Sequence, residues 1–338
     1  EDQCGHGNRG MAETYLGIDI GGTTCAVCTA DRQGRLLASA SFTTGKGSLG
    51  WKETVDLLLE EAGRQAAAGG GSGPKAVGIS CGSPMDREAG LIQEPANLPG
   101  WRDVPIVNLF SEAFPRAAIH LENDANAGAL AEYHFGAGKN EPARNLLFLT
   151  FGTGLGAGLI LNGELYRGSS NYAGEIGHIR LSPDGPLGCG KAGSFEGFCS
   201  GGGIEQLAVD RRAAWSEETC LRDGALTARD VGLGARSGDP LCLEILDISG
   251  DHLGQGLAMV IDILNPELIV IGSIFTRCEE FLRPAMERAL ERETRKEALA
   301  CCRIIPAALD EEIGLYASLS AAYHGEGLFS GKPPGVRG

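Results

Sequence analysis

The sequence predicts an α/β protein of two related halves that face each other across a nucleotide. Three observations carry that reading. Asp19-Ile20-Gly21-Gly22-Thr23-Thr24 follows the apolar run 15–18, and Gly152-Thr153-Gly154-Leu155-Gly156 follows the apolar run 146–151. Each turn is left by a second strand-like run, 25–30 in the first case and 157–161 in the second. Both turns also carry threonine, which adds hydroxyl donors to the glycine N–H groups that can approach an anion closely. Either turn alone reads as an ordinary hairpin turn; as a matched pair they read as two phosphate-binding turns. A dinucleotide-binding turn or a P-loop would run from strand into helix, and no G-x-x-x-x-G-K-[ST] occurs.

The remaining elements follow in order. After 25–30, the polar stretch Asp31-Arg32-Gln33-Gly34 turns the chain into a strand over 36–42, which completes a meander. Val55, Leu58, Leu59 and Ala62 recur at helical spacing and predict a helix over 51–68, broken by the glycine-rich 68–74. A strand is expected over 75–80, a helix over 106–114, a strand over 117–121, and a helix from Asp124 to Tyr133. In the second meander, Asn162-Gly163 joins 157–161 to 164–166, because both residues tolerate positive φ. A glycine-dense segment spans 185–203. A long helix over 239–264 stops at Asn265-Pro266, and a strand over 268–271 ends at Gly272. Helices over 281–292 and 313–324 close the fold, and the tail from Ser330 is Gly/Pro-rich.

Composition limits the function classes. The 338 residues suggest two domains, and 43% apolar content fills two cores. The formal charge of −15 argues against nucleic acid, which rewards a basic face. No apolar run reaches the roughly 18 residues that cross a bilayer, and no secretory leader is visible, so a cytoplasmic protein is expected. Met11 reads as the natural initiator, which makes 1–10 a leader or upstream sequence. Eleven cysteines, an odd number set in apolar runs, fit reduced thiols better than a disulfide framework. Cys25-x-x-Cys28 and the vicinal Cys301-Cys302 are read as packing residues.

Three polar clusters are candidates for chemistry. Glu122-Asn123-Asp124-Ala125-Asn126-Ala127 follows a strand and opens a helix. One helix cap explains one of these side chains. A carboxylate there is also placed to take the proton of a hydroxyl that accepts phosphate. Glu175-Ile176-Gly177-His178 follows a loop rich in Gly, Ser and Asn and suits hydroxyl recognition. Glu196 sits in an apolar, glycine-rich stretch, as a ligand contact or a helix cap.

These motifs, in this order, resemble the ROK family of sugar kinases and sugar-responsive repressors, from about Tyr15 to His324. The residues concerned are 19–23, Asn97-Leu-Pro-Gly-Trp101, 122–127, 152–156 and Ala173-Gly-Glu-Ile-Gly-His178. The resemblance implies the actin-like (ribonuclease H-like) fold: two α/β domains with a nucleotide and sugar cleft between them. It implies a small domain over 11–123, with a helix at about 312–325 packing back on it, a large domain over 124–311, and a flexible tail over 326–338. It makes Asp124 the catalytic base and Asn97, Asn123, Glu175, His178 and Glu196 the sugar contacts. Gly21, Gly22, Thr23 and Thr24 become the first phosphate turn, with Asp19 near the Mg²⁺ that arrives with ATP. Gly152, Thr153 and Gly154 become the second, and Gly272 marks the adenosine contact. Only the first glycine of the family's cluster is kept there, since the sequence reads Gly272-Ser273-Ile274.

Many members hold a structural zinc with the His of Glu-x-Gly-His and three cysteines of C-x-C-G-x-x-G-C. Aligned on Gly190 and Gly193, this chain has Leu187, Cys189 and Ser194 at those positions. Two ligands do not make a structural zinc site. No structural zinc is expected, and His178 must be held by hydrogen bonds and packing. Family repressors carry a helix-turn-helix domain ahead of the first glycine turn, and eighteen residues before Asp19 are too few for one. The expectation is therefore an ATP-dependent kinase acting on the 6-hydroxyl of a hexose, with glucose favoured. N-acetylmannosamine or N-acetylglucosamine kinase is an alternative, as is a non-catalytic sugar-binding regulator. The resemblance also implies sugar and ATP as partners, with neither nucleic acid nor membrane, and a homodimer.

Overall fold

A computed structural model describes residues 13–44, 49–68, 73–222 and 226–329. The leader 1–10, most of the glycine-rich break after residue 68 and the tail beyond 329 lie outside the described residues. The chain divides into two compact units, 1–127 with 312–330, and 128–311 with 331–338.

The first unit opens with β1 (Thr14–Ile20), β2 (Thr24–Asp31), β3 (Leu36–Thr43), α1 (Trp51–Ala68) and β4 (Ala76–Cys81). A small hairpin, β5 (Met85–Asp86) and β6 (Leu91–Ile92), precedes α2 (Ile106–Ala113), β7 (Ala118–Asn123) and the start of α3 (Asp124–His134). The second unit continues with α4 (Ala137–Asn140), β8 (Leu146–Leu149), β9 (Ala157–Leu161), β10 (Glu164–Tyr166) and the hairpin β11 (Leu187–Gly188) with β12 (Lys191–Ala192). Then come α5 (Phe195–Phe198), α6 (Gly201–Ala214), α7 (Ala228–Arg236), α8 (Pro240–Leu264) and β13 (Leu268–Ile271). The unit ends with α9 (Ile274–Glu293), α10 (Lys296–Leu299) and β14 (Arg303–Pro306), after which α11 (Ile313–Gly325) returns to the first.

The two units share one topology. The first sheet has the order β3-β2-β1-β4-β7 and the second β10-β9-β8-β13-β14. In each, an antiparallel meander supplies three strands and two more join in parallel. The two glycine turns are therefore equivalent, since one joins β1 to β2 and the other β8 to β9. This is the actin-like arrangement, whose parallel strands all deliver their carboxyl ends to one edge.

Burial explains why these segments settle where they do. Every residue of the central strand β4 is buried. Val55, Leu58 and Ala62 of α1 face the same core as Leu16, Ile18 and Val77. Gln65 anchors α1 by a buried hydrogen bond from Thr29 at 2.9 Å. On the other side α11 lies tight on the sheet, because a Cβ at Gly78 would run into the Ser318 carbonyl. Cys25 and Cys28 are fully buried packing residues, as their setting suggested, whereas Cys301 is exposed after α10. In the second unit, Phe195, Ile204, Leu253, Ile269 and Phe275 share one core. Asn162 and Gly163 take φ of 56° and 85°, the mirror-image turn expected of that pair. Asn265 ends α8 in the left-handed region, with Pro266 behind it.

Several expectations need correcting. The glycine-dense stretch ends in α6, whose first three residues are glycines capped by Ser200. α9 begins seven residues before the expected 281. Its irregular Cys278 and internal Pro284 disguised the earlier turns. α7 and β14 were not foreseen. The tail is not loose from 326, since Glu326 pairs with His120 at 3.2 Å and with Lys75 at 3.9 Å.

Candidate active site

The first unit gathers its polar residues where β1, β4 and β7 end. Asp19 lies opposite Ser80, and Ser80 opposite Glu122, across the three neighbouring strands. Burial, with the charge of Asp124 second, raises the Asp19 carboxyl to about 7, against a smaller opposing pull from the Ser80 hydroxyl. Ser80 Oγ is buried without a fully formed hydrogen bond. Asp124 is the first residue of α3. Its Oδ1 accepts the Ala125 N–H at 2.8 Å and the Asn123 amide at 3.2 Å. The surrounding protein raises its carboxyl above the ordinary value, and these hydrogen bonds oppose the rise. The result is a carboxylate held by its neighbours, open to solvent, and more basic than a free aspartate.

Asn123 does two things at once. Its Oδ1 caps α3 by accepting the N–H groups of Ala125 and Asn126 at 3.0 and 3.1 Å. Its amide donates to Ser83 at 2.9 Å and to Asp124. Asn97 is exposed beside this group, with its Oδ1 3.2 Å from where a Cβ at Gly82 would stand. The first glycine turn touches the same loop, because a Cβ at Gly22 would collide with the Asn97 carbonyl. The turn is closed by the Gly21 N–H donating to the Thr24 carbonyl at 3.2 Å, and by Thr44 donating to Gly22 at 2.9 Å. The structure thus brings Asp19, Gly21, Gly22, Thr23, Thr24, Asn97, Asn123 and Asp124 into one region of the first unit. Ser80 and Ser83 join them. Neither serine was assigned a role from sequence, although Ser83 falls in a loop that stands out by composition.

The second unit assembles a separate group. Glu196 divides its carboxylate between two loops. Oε2 accepts the Leu155 N–H of the glycine turn at 3.0 Å, and Oε1 accepts the Cys189 N–H at 2.7 Å. The turn is further fixed by the Gly152 N–H donating to Gly154 and by the Gly201 N–H of α6 donating to Gly152, at 3.0 and 2.8 Å. Gly177 brings the Glu175–His178 stretch against the same place, since a Cβ there would stand 2.6 Å from the Leu155 carbonyl and 3.3 Å from Glu196 Cβ. His178 and Glu175 are both exposed, with Nε2 and Oε2 3.8 Å apart, and the His178 carbonyl accepts from Lys191 at 2.8 Å. Lys191 thus holds the backbone at His178, while the exposed ring only lies near Glu175.

Cys189 is the one thiol retained from the zinc pattern. Burial, and then Glu196 beside it, push that thiol up to about 12, opposite to what a metal ligand needs. Among the described residues, three potential ligands converge only at Cys220, Asp239 and Cys242. There the Asp239 carboxylate caps α8 and accepts the N–H groups of Cys242 and Cys220 and the Thr219 hydroxyl.

A cavity of about 510 Å³ opens between α7 and the first turns of α9, which follow Gly272 in the chain, and is lined by Arg229, Arg236, Ile274, Arg277 and Glu311 among others. Ser273 leads from Gly272 into α9 at φ 56°, ψ −109°, a conformation that favours glycine. Its Oγ lies 3.7 Å from where a Cβ at Gly152 would stand, which sets the start of α9 against the second glycine turn. The volume falls in the range of small-ligand sites.

Comparison with known proteins points the same way. The model of the ROK family matches residues 15–322. A glucokinase from Halalkalibacterium halodurans is 32% identical over 285 residues, covering 82% of this chain and 85% of that protein. The solved ROK hexokinase from Thermus thermophilus superposes with a TM-score of 0.76 at 30% identity, covering 93% of this chain and 99% of that one. A ROK family glucokinase from Streptomyces griseus, solved with glucose and AMPPNP, gives 0.74 at 27% identity, covering 92% and 99%.

Proposed function

The chain belongs to the ROK family, and on that premise we propose that it is an ATP-dependent sugar kinase that phosphorylates the 6-hydroxyl of a hexose, glucose first. The observation that carries this reading is Asp124. It is a solvent-open carboxylate of raised basicity at the head of α3, on the same sheet edge as Asp19. The glucokinase relative and the neighbour that binds glucose and AMPPNP support it.

In this reading Asn97, Asn123, Glu175, His178 and Glu196 bind sugar hydroxyls. Asp124 accepts the proton of the 6-hydroxyl as that oxygen attacks the γ-phosphorus, and the bond to the β-phosphate oxygen breaks to release ADP. Gly152, Thr153 and Gly154 hold phosphate from the second unit, and Gly21 to Thr24 from the first. The nucleoside occupies the cavity between α7 and α9. Asp19 and Ser80 fit a magnesium ion: both offer oxygen, no cationic side chain among the described residues pairs with the carboxyl, and the serine hydroxyl has no fully formed hydrogen bond. Bound there with ATP, the ion neutralises phosphate charge.

Asp124→Asn keeps the shape and removes the base. We expect sugar affinity to be kept and turnover to fall by about a hundredfold or more. Near wild-type turnover would overturn the mechanism. Xylose repressors also share the family. Sugar-dependent ADP release, measured over glucose, other hexoses and N-acetylated hexosamines, separates a kinase from a sugar-binding regulator. No release with any of them would refute the kinase.

A further inference from the structure

Glu122 is 2% exposed, yet it carries a carboxylate at the end of β7, two residues before Asp124. Its Oε1 accepts the Asn123 N–H at 3.1 Å and the Asn126 side-chain amide at 3.2 Å. Its Oε2 faces the Arg87 guanidinium at 3.3 Å. Arg87 comes from the turn of the β5–β6 hairpin, and its Nε donates to the Leu121 carbonyl at 2.9 Å. One guanidinium thus binds both the backbone and the side chain at the end of β7. The carboxylate it neutralises then holds the last residue of β7 through the Asn123 N–H and the first turn of α3 through the Asn126 amide.

A buried carboxylate without a partner is costly, and a well-packed apolar pair would often serve stability as well or better. The particular use of this pair lies in what it fixes. Asn123 and Asp124 stand on the joint between a strand and a helix, where a small rotation of the first helical turn would swing both side chains. Asn123 reaches Asp124 through one hydrogen bond of 3.2 Å. Its orientation, and the direction of the Asp124 carboxylate, depend on the backbone that Glu122 holds.

We propose that Arg87 and Glu122 form a positioning pair that aims Asp124 and Asn123 for phosphoryl transfer. The proposal rests on the kinase reading above. Neither residue is among the proposed sugar or nucleotide contacts. The pair acts through the geometry of its neighbours, and misplacement of a reacting group by about 1 Å costs on the order of a hundredfold.

The test measures kcat, KM for ATP, sugar affinity and thermal unfolding for Arg87→Met, Arg87→Lys, Glu122→Gln and the double variant Arg87→Met/Glu122→Gln. Each neutral single variant should lose about tenfold to a hundredfold in kcat, with KM for ATP within about twofold of wild type. The double variant should be no worse than the poorer single variant, because the two residues work as one unit. Arg87→Lys keeps the charge but not the planar fork, and should lie between wild type and Arg87→Met. A role in folding alone would lower the melting temperature and leave kcat of the folded fraction intact, and that result overturns the proposal. So do independent, multiplicative losses in the double variant. If Arg87→Met does not fold, the lysine and double variants decide. Wild type that releases no ADP with any sugar refutes the kinase reading, and the proposal falls with it. An active wild type with unaffected variants refutes the proposal alone.

Discussion

Replacing Asp19 with asparagine should make the protein more stable and leave it inactive. The folded chain holds the Asp19 carboxyl near 7, against an ordinary value of 3.8. Between those values the folded state keeps a proton that the unfolded state has released. Stability therefore falls as pH rises through this window, and the loss is complete above pH 7. A rise from 3.8 to about 7, at roughly 1.4 kcal/mol for each pH unit, sets an upper figure of about 4 kcal/mol. An asparagine side chain keeps the volume and never ionises. The gain from Asp19→Asn should be under about 1 kcal/mol at pH 4 and should grow to at most about 4 kcal/mol at pH 8. Paired urea titrations of wild type and variant at pH 4, 5, 6, 7 and 8 measure it, since titrations common to both proteins cancel in the difference. A difference that is flat with pH would refute the reasoning. The charge of Asp124 is the second cause of the shift, after burial. Asp124→Asn should therefore move the steep part of the wild-type curve to lower pH. Such a carboxyl costs stability when ionised, and the proposed magnesium site would give that cost a use, the usual exchange of stability for function.

Three further outcomes follow from the second unit. Ser273→Gly should relieve a residue held at φ 56°, ψ −109° and raise stability by about 1 kcal/mol; a lower melting temperature would show that the serine side chain, not the strain, matters. Glu196→Gln turns one of two acceptor oxygens toward Leu155 and Cys189 into a donor, at about 2–4 kcal/mol for the weakened and the orphaned bond together. KM should rise for ATP as well as for sugar, and an unchanged KM for ATP would refute the link to the glycine turn. Protein purified without chelator should hold no stoichiometric zinc at His178 and Cys189, as measured by elemental analysis. Zinc that disappears in Cys189→Ser would contradict this.

What could be read from the sequence and what could not differ for physical reasons. α1 was legible because its core face repeats at helical spacing: Val55, Leu58 and Ala62 are buried as the repeat selects, Leu59 only in part, and the polar Thr54 and Gln65 join them. The two meanders were legible because glycine turns and Asn-Gly pairs punctuate apolar runs. α6 was hidden by its three opening glycines, which propensity penalises by about 1 kcal/mol each. Tertiary approach requires the third of them, since a Cβ at Gly203 would collide with the Gly197 carbonyl. α7 carried a readable signal that went unused, the Thr227–Asp230 capping box. β14 is half-buried and short, with neither a clear alternation nor a continuous apolar run.

The same distinction holds inside the site. Residues that act through their own chemistry were named from local motifs, because a carboxylate after a strand announces itself. Neighbourhoods that depend on strand register were not. Asp19, Ser80 and Glu122 are neighbours only because β1, β4 and β7 pair in parallel. Arg87 meets Glu122 only because the hairpin folds under the end of β7. Glu196 was named as a sugar contact, yet both of its oxygens hold loops forty-one and seven residues away. A hydroxyl that binds Glu196 must share a carboxylate that already fixes the second glycine turn. Sugar occupancy and the placement of that turn are then coupled through one side chain. The same arrangement appears in the first unit, where Gly22 of the first glycine turn packs against Asn97, a proposed sugar contact. Each unit thus sets its glycine turn directly against a proposed sugar contact, which parallels the duplication seen in the strand order.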